Sequence, residues 1–420
     1  MGGSAHRYFR SSVVRNALSL YGIQAANYIL PWFTFPYLLR VLGVEKFGAI
    51  AFAQAFVSYF LVVTEYGFNF TATREISIHR EDQLKLSQIF TATMLAKTLL
   101  MLGSLGVFSA MVFLVPRFRV DAPLYFVTFL SVIANVIFPQ WLFQGIEKME
   151  NITYREVGAR LLGLAPTFLL VHRPSDYLVA AGIQSGSMLL AGIAGYVGFR
   201  KVTTARLVPV SLREIKRTFV EGWHVFLSTA AITLYTRSNT FVLGMLASDR
   251  DVGYFSAAQR LVDAGKALVF PLTTAIFPHI SRLAHESPEK AVAFIRRNTL
   301  RLTAPFALIS VLWIVAAPLV GRILFGPKFG PSVPLLRIMA PIPMVVAIGS
   351  IYATYYMLGM GYKKQWSQLI ISAGAFNFVV LVPLLYVTSA SYAVAITCTL
   401  VETWVMAGSW IFYQVKNRAV

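Results

Sequence analysis

The chain is poor in charge and in cysteine. Only 13% of its 420 residues are charged, about half the share found in ordinary soluble domains, which excludes a soluble globular protein and a disordered one. A single cysteine, Cys398, leaves no intrachain disulfide to form. The six histidines form no HExxH motif and no cluster with zinc-ligand spacing. We therefore expect neither a metal site nor a cofactor.

Enzyme motifs are also lacking. The sequence holds no Asp-Asp pair, no GxSxG motif and no Walker motif. Membrane enzymes that act on polyprenyl phosphates usually need paired acids for Mg²⁺ or a long acceptor loop, and ATP hydrolysis needs a phosphate-binding loop. We therefore expect that the protein is not an enzyme. A membrane polymerase or ligase for a glycan remains the less favoured alternative.

Apolar sequence is abundant: 57% of the residues are hydrophobic and the mean hydropathy is +0.64. Because a membrane span needs about 20 mostly apolar residues, the pattern predicts an all-α integral membrane protein with about twelve transmembrane helices. The predicted spans are 17–40, 47–70, 87–115, 121–143, 153–171, 177–199, 218–247, 252–276, 300–325, 333–360, 366–387 and 390–415.

The remaining charge is lopsided, with 37 Lys plus Arg against 18 Asp plus Glu. If the N-terminus is cytoplasmic, 24 of the 37 basic residues fall in cytoplasmic gaps, among them Arg155 and Arg160, which follow span 4. That bias is the positive-inside pattern of membrane proteins, and it places both termini in the cytoplasm. Nucleic-acid binding would need a basic face on a soluble module, so no nucleic-acid partner is expected.

An internal repeat divides the chain near its middle. FGAIAFAQAFVSY (47–59) aligns with VGYFSAAQRLVDA (252–264), so that Gly48 meets Gly253 and Gln54 meets Gln259. Halves with an even number of spans are parallel repeats, which predicts two six-helix lobes with a central cavity between them. The predicted parts are a first lobe over 1–205, four helices of the second over 206–365 and its last two over 366–420. Chance similarity between helix starts is the alternative.

Seven charged residues that the count by gaps leaves within the spans need explaining, since a charge at mid-membrane costs about 2.5–3.5 kcal/mol. They are Glu65, Lys97, Arg237, Arg260, Asp263, Lys266 and Glu402. Four are basic and three acidic, a bias that suits an anionic substrate such as a phosphate or pyrophosphate. Other interpretations stay open: Arg237 and Arg260 could reach the outer headgroups, Asp263 could neutralise a neighbour one turn away, and Glu402 could be a buried carboxyl that only packs.

Four segments resemble the Wzx-type O-antigen flippases, polysaccharide-unit exporters of the multidrug/oligosaccharidyl-lipid/polysaccharide superfamily. They are NYILPWFTFPYLLRVLG (27–43), EYGFNFTATREIS (65–77), PQWLFQGIEKM (139–149) and LGMLASDRDVGYFSAAQRL (243–261). The resemblance implies a V-shaped, two-lobe bundle in the bacterial inner membrane. It also implies transport of undecaprenyl-pyrophosphate-linked oligosaccharide from the cytoplasmic to the periplasmic leaflet by alternating access. Separately, we expect the cycle to be coupled to an ion gradient, with H⁺ or Na⁺ as the ion, and the glycan polymerase machinery to be a partner.

Site residues follow from the two arguments together. The resemblance points to Arg40, Glu65, Lys97 and Gln259, and the polar faces of spans 2, 7 and 8 add the others. We assign substrate binding to Arg40, Gln54, Lys97, Arg237, Gln259, Arg260 and Lys266, and ion coupling to Glu65 and Asp263. A drug or cation antiporter of the same superfamily is the main alternative; it would need a net acidic cavity.

Overall fold

A computed structural model of the protein describes residues 31–199, 202–203, 205–326 and 329–418, and it contains helices and short connections but no strand within those ranges. Most of the first predicted span, 17–40, lies outside the described residues. The all-helical fold predicted from apolar runs is confirmed.

Sixteen α-helices are described, joined by one short 3₁₀ and two π-helical segments. The first eight are α1 (Pro31–Glu65), α2 (Phe68–Ile78), α3 (Gln83–Leu114), α4 (Pro116–Arg119), α5 (Ala122–Ile137), α6 (Gln140–Gly145), α7 (Glu150–Leu170) and α8 (Tyr177–Phe199). The others are α9 (Leu212–Leu246), α10 (Asp249–Ala267), α11 (Val269–Glu286), α12 (Pro288–Val320), α13 (Ser332–Met339), α14 (Ile342–Gly349), α15 (Lys363–Val387) and α16 (Ala390–Arg418). The π segments are Gly321–Phe325 and Ser350–Leu358.

Local sequence explains where several helices begin and bend. The Asp82 carboxylate accepts hydrogen bonds from the backbone N–H groups of Leu84 and Lys85 at 3.1 and 3.0 Å, which caps the first turn of α3. Gly43 has φ 74° and ψ 174° and interrupts α1, a conformation that favours glycine. Pro139 has no N–H to extend a helix, so predicted span 4 divides into α5 and α6.

Within the described ranges, eight helical stretches are long and apolar enough to cross a membrane, or nine if the bent pair Asp249–Thr273 and Ile276–Glu286 forms one span. The stretch Phe33–Ile78 joins the end of predicted span 1 to span 2. Neither α7 nor α9 is among the eight, since both carry charged and polar side chains along much of their length. The count of twelve spans therefore stays a prediction.

The described residues form two compact units. Unit 1 contains 31–42 and 53–233, and unit 2 contains 43–52 and 234–418. The first predicted lobe, 1–205, ends some way before the end of unit 1, and the short segment 43–52 groups with unit 2. The lobe boundaries at 205 and 365 stay predictions.

Contacts between connections follow the predicted alternation across the membrane. In unit 1, Arg80 lies 3.4 Å from Glu147, which joins the gaps after spans 2 and 4. At the other end of that unit the Tyr177 hydroxyl donates to Asp121 at 2.8 Å, which joins the gap after span 3 to the start of span 6. Both contacts agree with the prediction that gaps of equal parity share one face. Which face is cytoplasmic stays a prediction.

The two glycines that the repeat aligns sit at a close helix crossing in unit 2. A Cβ atom on Gly48 would lie 1.7 Å from the carbonyl oxygen of Asp249, and one on Gly253 would lie 2.1 Å from that of Val44. Such distances are far below van der Waals contact, so only glycine permits α1 and α10 to approach this closely.

Candidate functional site

Lys97 is buried at the centre of unit 1. It lies about 21 Å along α3 from Gln83, at about 1.5 Å per residue, and only 2% of it is exposed. Its Nζ donates to the backbone oxygen and to Oδ1 of Asn135, both at 3.2 Å. The ammonium group therefore has polar partners at a depth where an unpartnered charge would be costly.

Asn135 links this lysine to a carboxylate. Its Nδ2 donates to Oε1 of Glu65 at 3.2 Å, while its Oδ1 accepts from Lys97. An amide can serve both neighbours because it carries a donor and an acceptor on one side chain. The structure thus brings Glu65 and Lys97, two residues selected from the sequence, into one network. Asn135 was not predicted because it is neutral, whereas most of the predicted site residues carry a charge.

Arg155 is a second buried cation of this network. Only 6% of it is exposed, and its electrostatic interactions reach Glu65 and Lys97. Its Nη1 lies 2.7 Å from Oε1 of Glu156 and its Cζ is 4.8 Å from the centre of the Phe138 ring. Its Nη2 is buried without a hydrogen-bond partner among the described residues.

Arg155 belongs to a helix and not to a connection between helices, and the side of the membrane on which it lies stays a prediction. The residue lies in the second turn of α7, and Phe138, the last residue before the Pro139 break, covers its guanidinium group. The adjacent acid Glu156, at the start of an apolar run, was the sequence signal for a buried pair.

The other two sites predicted in the first half lie elsewhere on α1. Gln54 donates from Nε2 to Oε1 of Gln184 on α8 at 2.6 Å. Arg40 is exposed. Their roles in substrate binding stay predictions.

In unit 2, Lys266 lies between two carboxylates. Its Nζ is 2.9 Å from Oε1 of Glu402 on α16 and 3.8 Å from Oδ1 of Asp263 one turn earlier on α10. The side chains of Lys266, Glu402 and Asp263 are 34%, 30% and 53% exposed. The contact between Asp263 and Lys266 is the one that their spacing predicts. Glu402 is an ion-pair partner, so its interpretation as a carboxyl that only packs was wrong.

Two arginines lie near the same acid. Arg237 on α9 and Arg260 on α10 are both exposed, and both interact electrostatically with Asp263. With Lys266 they give three cations against two carboxylates. The unit 1 network, by comparison, holds two cations and two carboxylates.

A set of neutral polar residues extends the unit 2 cluster. Nδ2 of Asn239 donates to Oδ1 of Asn377 at 3.1 Å and lies 3.2 Å from Sγ of Cys398, one turn before Glu402. The hydroxyl of the next residue, Thr240, donates to Oε1 of Gln259 at 3.2 Å. The predicted residue Gln259 is therefore held by α9. Asn377 was missed from the sequence because it is neutral.

The charged groups of both units are mainly lysine, arginine and paired carboxylates. The described part of the chain contains no group of three His, Cys, Asp or Glu side chains that could hold a metal ion. Lysine and arginine instead offer charge-assisted hydrogen bonds to phosphate oxygens.

Solved structures of low sequence identity share the fold. The inward-facing conformation of a multidrug resistance MATE family transporter of the MOP superfamily aligns with a TM-score of 0.74 at 13% identity, over 93% of this chain and 95% of that one. The lipid II flippase MurJ in an inward closed conformation aligns with a TM-score of 0.69 at 11% identity, over 96% and 87%. The chain therefore shares the helical fold of these two structures.

Sequence relatives and a family model identify the group. A protein of Escherichia coli (strain K12) named "Putative O-antigen transporter" is 34% identical over 415 residues, which is 97% of each chain. A protein of the same name from Shigella dysenteriae is 29% identical over 373 residues, 89% of this chain and 93% of that one. The model of the polysaccharide biosynthesis protein family matches residues 13–284. The chain belongs to the polysaccharide biosynthesis protein family.

Proposed function

We propose that the protein is a flippase for a lipid-linked oligosaccharide. It moves an undecaprenyl-pyrophosphate-linked repeat unit of the O-antigen type from the cytoplasmic to the periplasmic leaflet of the bacterial inner membrane, by alternating access. Support comes from the family and from two relatives named as O-antigen transporters. The likeness to solved transporters supports the fold alone.

The observation that carries the proposal is the set of hydrogen-bond partners of Lys97. Its ammonium group contacts a neutral amide, not a carboxylate, since Asn135 stands between it and Glu65. The charge is therefore held in place without being cancelled by direct contact. A pyrophosphate oxygen could replace the amide and gain a charge-assisted hydrogen bond, which is worth about 1.5–3 kcal/mol.

In unit 2 the arginines are better placed than Lys266 to bind the anion. Glu402 already holds Lys266 at 2.9 Å, so part of that charge is neutralised. Arg237 and Arg260 are exposed and carry planar guanidinium groups, which suit phosphate. We assign them to substrate and Lys266 to keeping Asp263 close.

Glu65 and Asp263 are the groups proposed for ion coupling, with H⁺ or Na⁺ as the ion. Each lies within a cluster of cations. A proton or Na⁺ that neutralises either carboxylate raises the positive charge of its cluster and strengthens the hold on an anion. Loss of that ion weakens the hold and favours release.

A drug or cation antiporter of the same fold is the alternative, and it would need a net acidic site. The unit 2 cluster has one more cation than carboxylate, which favours the anionic substrate.

The test is Lys97→Met, which keeps the volume of the side chain and removes its charge. In cells that lack their own exporter, we expect delivery of labelled glycan to the periplasmic face to fall roughly 10- to 100-fold, the equivalent of about 1.5–3 kcal/mol. Lys363→Met is the matched control, because Lys363 is exposed at the start of α15. Full delivery by Lys97→Met at equal membrane levels would refute the assignment.

A further inference from the structure

A large groove in unit 2 lies apart from the residues assigned above. It has a volume of about 1230 Å³. Its walls are α12, the end of α14 with the π segment that follows it, and the last turns of α16. Pockets for small ligands usually measure about 300–1,000 Å³, so this groove accommodates a larger molecule.

The groove changes from apolar to cationic along its length. On α16 its lining runs from Met406 through Trp410 to Lys416, a distance of about 15 Å at about 1.5 Å per residue. On α12, which runs the opposite way, it passes from Arg296 to Leu300. The cations thus lie towards one end and the apolar side chains towards the other, which is the polarity of a phospholipid.

Packed tyrosine side chains line the groove between its apolar and cationic ends. The rings of Tyr352 and Tyr356 pack on that of Tyr413 with centroid distances of 5.0 and 4.9 Å. Asn417 donates to the Tyr356 hydroxyl at 3.0 Å, and the Lys416 ammonium lies 5.8 Å from the centre of the Tyr362 ring. Tyrosine suits this level because its ring is apolar and its hydroxyl is polar.

The cations at the polar end are open to a ligand. Arg296 and Lys416 are exposed, and neither forms an ion pair with a carboxylate in the part of the chain that the structure describes. Glu289 is the acid among the described lining residues, which leaves a net positive rim. Basic pockets between transmembrane helices bind the head groups of anionic lipids.

We propose that this groove binds an anionic glycerophospholipid of the surrounding leaflet. The lipid phosphate lies between Arg296 and Lys416, and its acyl chains follow Leu300, Met406 and Trp410. The site is separate from the translocated substrate, so the proposal does not depend on the proposed function.

The experiment measures retention of labelled phosphatidylglycerol by the purified full chain in a nonionic detergent. We expect retention at least tenfold above that of zwitterionic phosphatidylcholine. The double variant Arg296→Gln/Lys416→Gln should lose the excess. Lys363→Gln/Lys364→Gln removes the same charge from residues outside the groove lining and should stay within twofold of the unmodified protein.

A second variant tests the groove without touching its charge. Ala407→Trp fills the space between the walls and keeps both cations, so retention should again fall at least tenfold. If the double variant is not monodisperse, the result for Ala407→Trp alone tests the proposal. Equal retention by the two double variants, or unchanged retention by Ala407→Trp, overturns the proposal. So does displacement of phosphatidylglycerol by an equimolar polyprenyl phosphate, because the groove would then belong to the polyprenyl lipid.

Discussion

Removal of Glu402 tests how Lys266 is held in unit 2. At an effective dielectric constant of about 20, unit charges separated by the 2.9 Å between Lys266 and Glu402 attract by about 6 kcal/mol, and at the 3.8 Å to Asp263 by about 4 kcal/mol. Glu402→Gln leaves the second attraction in place. Since all three side chains are a third to a half exposed, solvent screens these values, and we expect a loss of about 1–2 kcal/mol in the free energy of unfolding.

The double variant Glu402→Gln/Asp263→Asn is the decisive perturbation. It leaves Lys266 without a carboxylate, and breaking a fully buried pair in this way costs about 3–5 kcal/mol. Because these side chains are partly exposed, we expect a smaller loss, about 2–3 kcal/mol. Adding Lys266→Gln removes the stranded charge and should recover most of that loss.

The assay is thermal unfolding in detergent, followed by tryptophan fluorescence and by the fraction that remains monodisperse. The unmodified protein should be the most stable, followed by Glu402→Gln and then by the double variant. The triple variant, which adds Lys266→Gln, should be more stable than the double variant. If the double variant is as stable as Glu402→Gln, or if Lys266→Gln gives no recovery, the ion pairs do not hold Lys266 and the reasoning fails.

Three further predictions follow from unit 1 and from the helix crossing. Gly48→Leu should abolish the monodisperse protein, because even a Cβ would lie 1.7 Å from the Asp249 oxygen, whereas Gly103→Leu, with nothing within 4 Å of its Cβ position, should not. Asn135→Leu should lower the free energy of unfolding by about 1–3 kcal/mol, because it removes one of the two acceptors of Lys97 and the amide donor to Glu65. The same assay measures this loss, and a change below about 0.5 kcal/mol would show that the Asn135 side chain does not hold the two charged groups. Arg155→Met should reduce glycan delivery more than Arg160→Met on the same helix, since Arg155 is the more deeply buried. Equal effects would show that Arg155 has no special role in the site.

Charged residues within apolar runs could be found from the sequence because each one conflicts with its surroundings. Lys97 stood out in this way, and its burial is now accounted for by a neighbour on α5. The spacing of Asp263 and Lys266 also predicted their contact, since residues three apart share a helix face.

Partners distant in the chain could not be predicted. Nothing near Glu402 shows that it meets Lys266, and Asn135 is an ordinary residue of α5 until two charged groups approach it. The burial of Arg155 was not predicted because the positive-inside count treats every basic residue near a span end as a loop residue. Packing against Phe138 decides its burial, and packing is a property of the folded chain.

The pairing of Lys266 with Glu402 also has a consequence for synthesis. The two residues are 136 positions apart, so at about 5–20 residues per second the ribosome needs about 7–27 s to produce the second after the first. During that interval Asp263 is the one carboxylate, of the two that the described residues place near Lys266, that has been made. Unit 2 can complete its charge pairing only after the last helix has emerged, and a chain truncated before α16 would present an incompletely paired lysine to the quality-control proteases of the membrane.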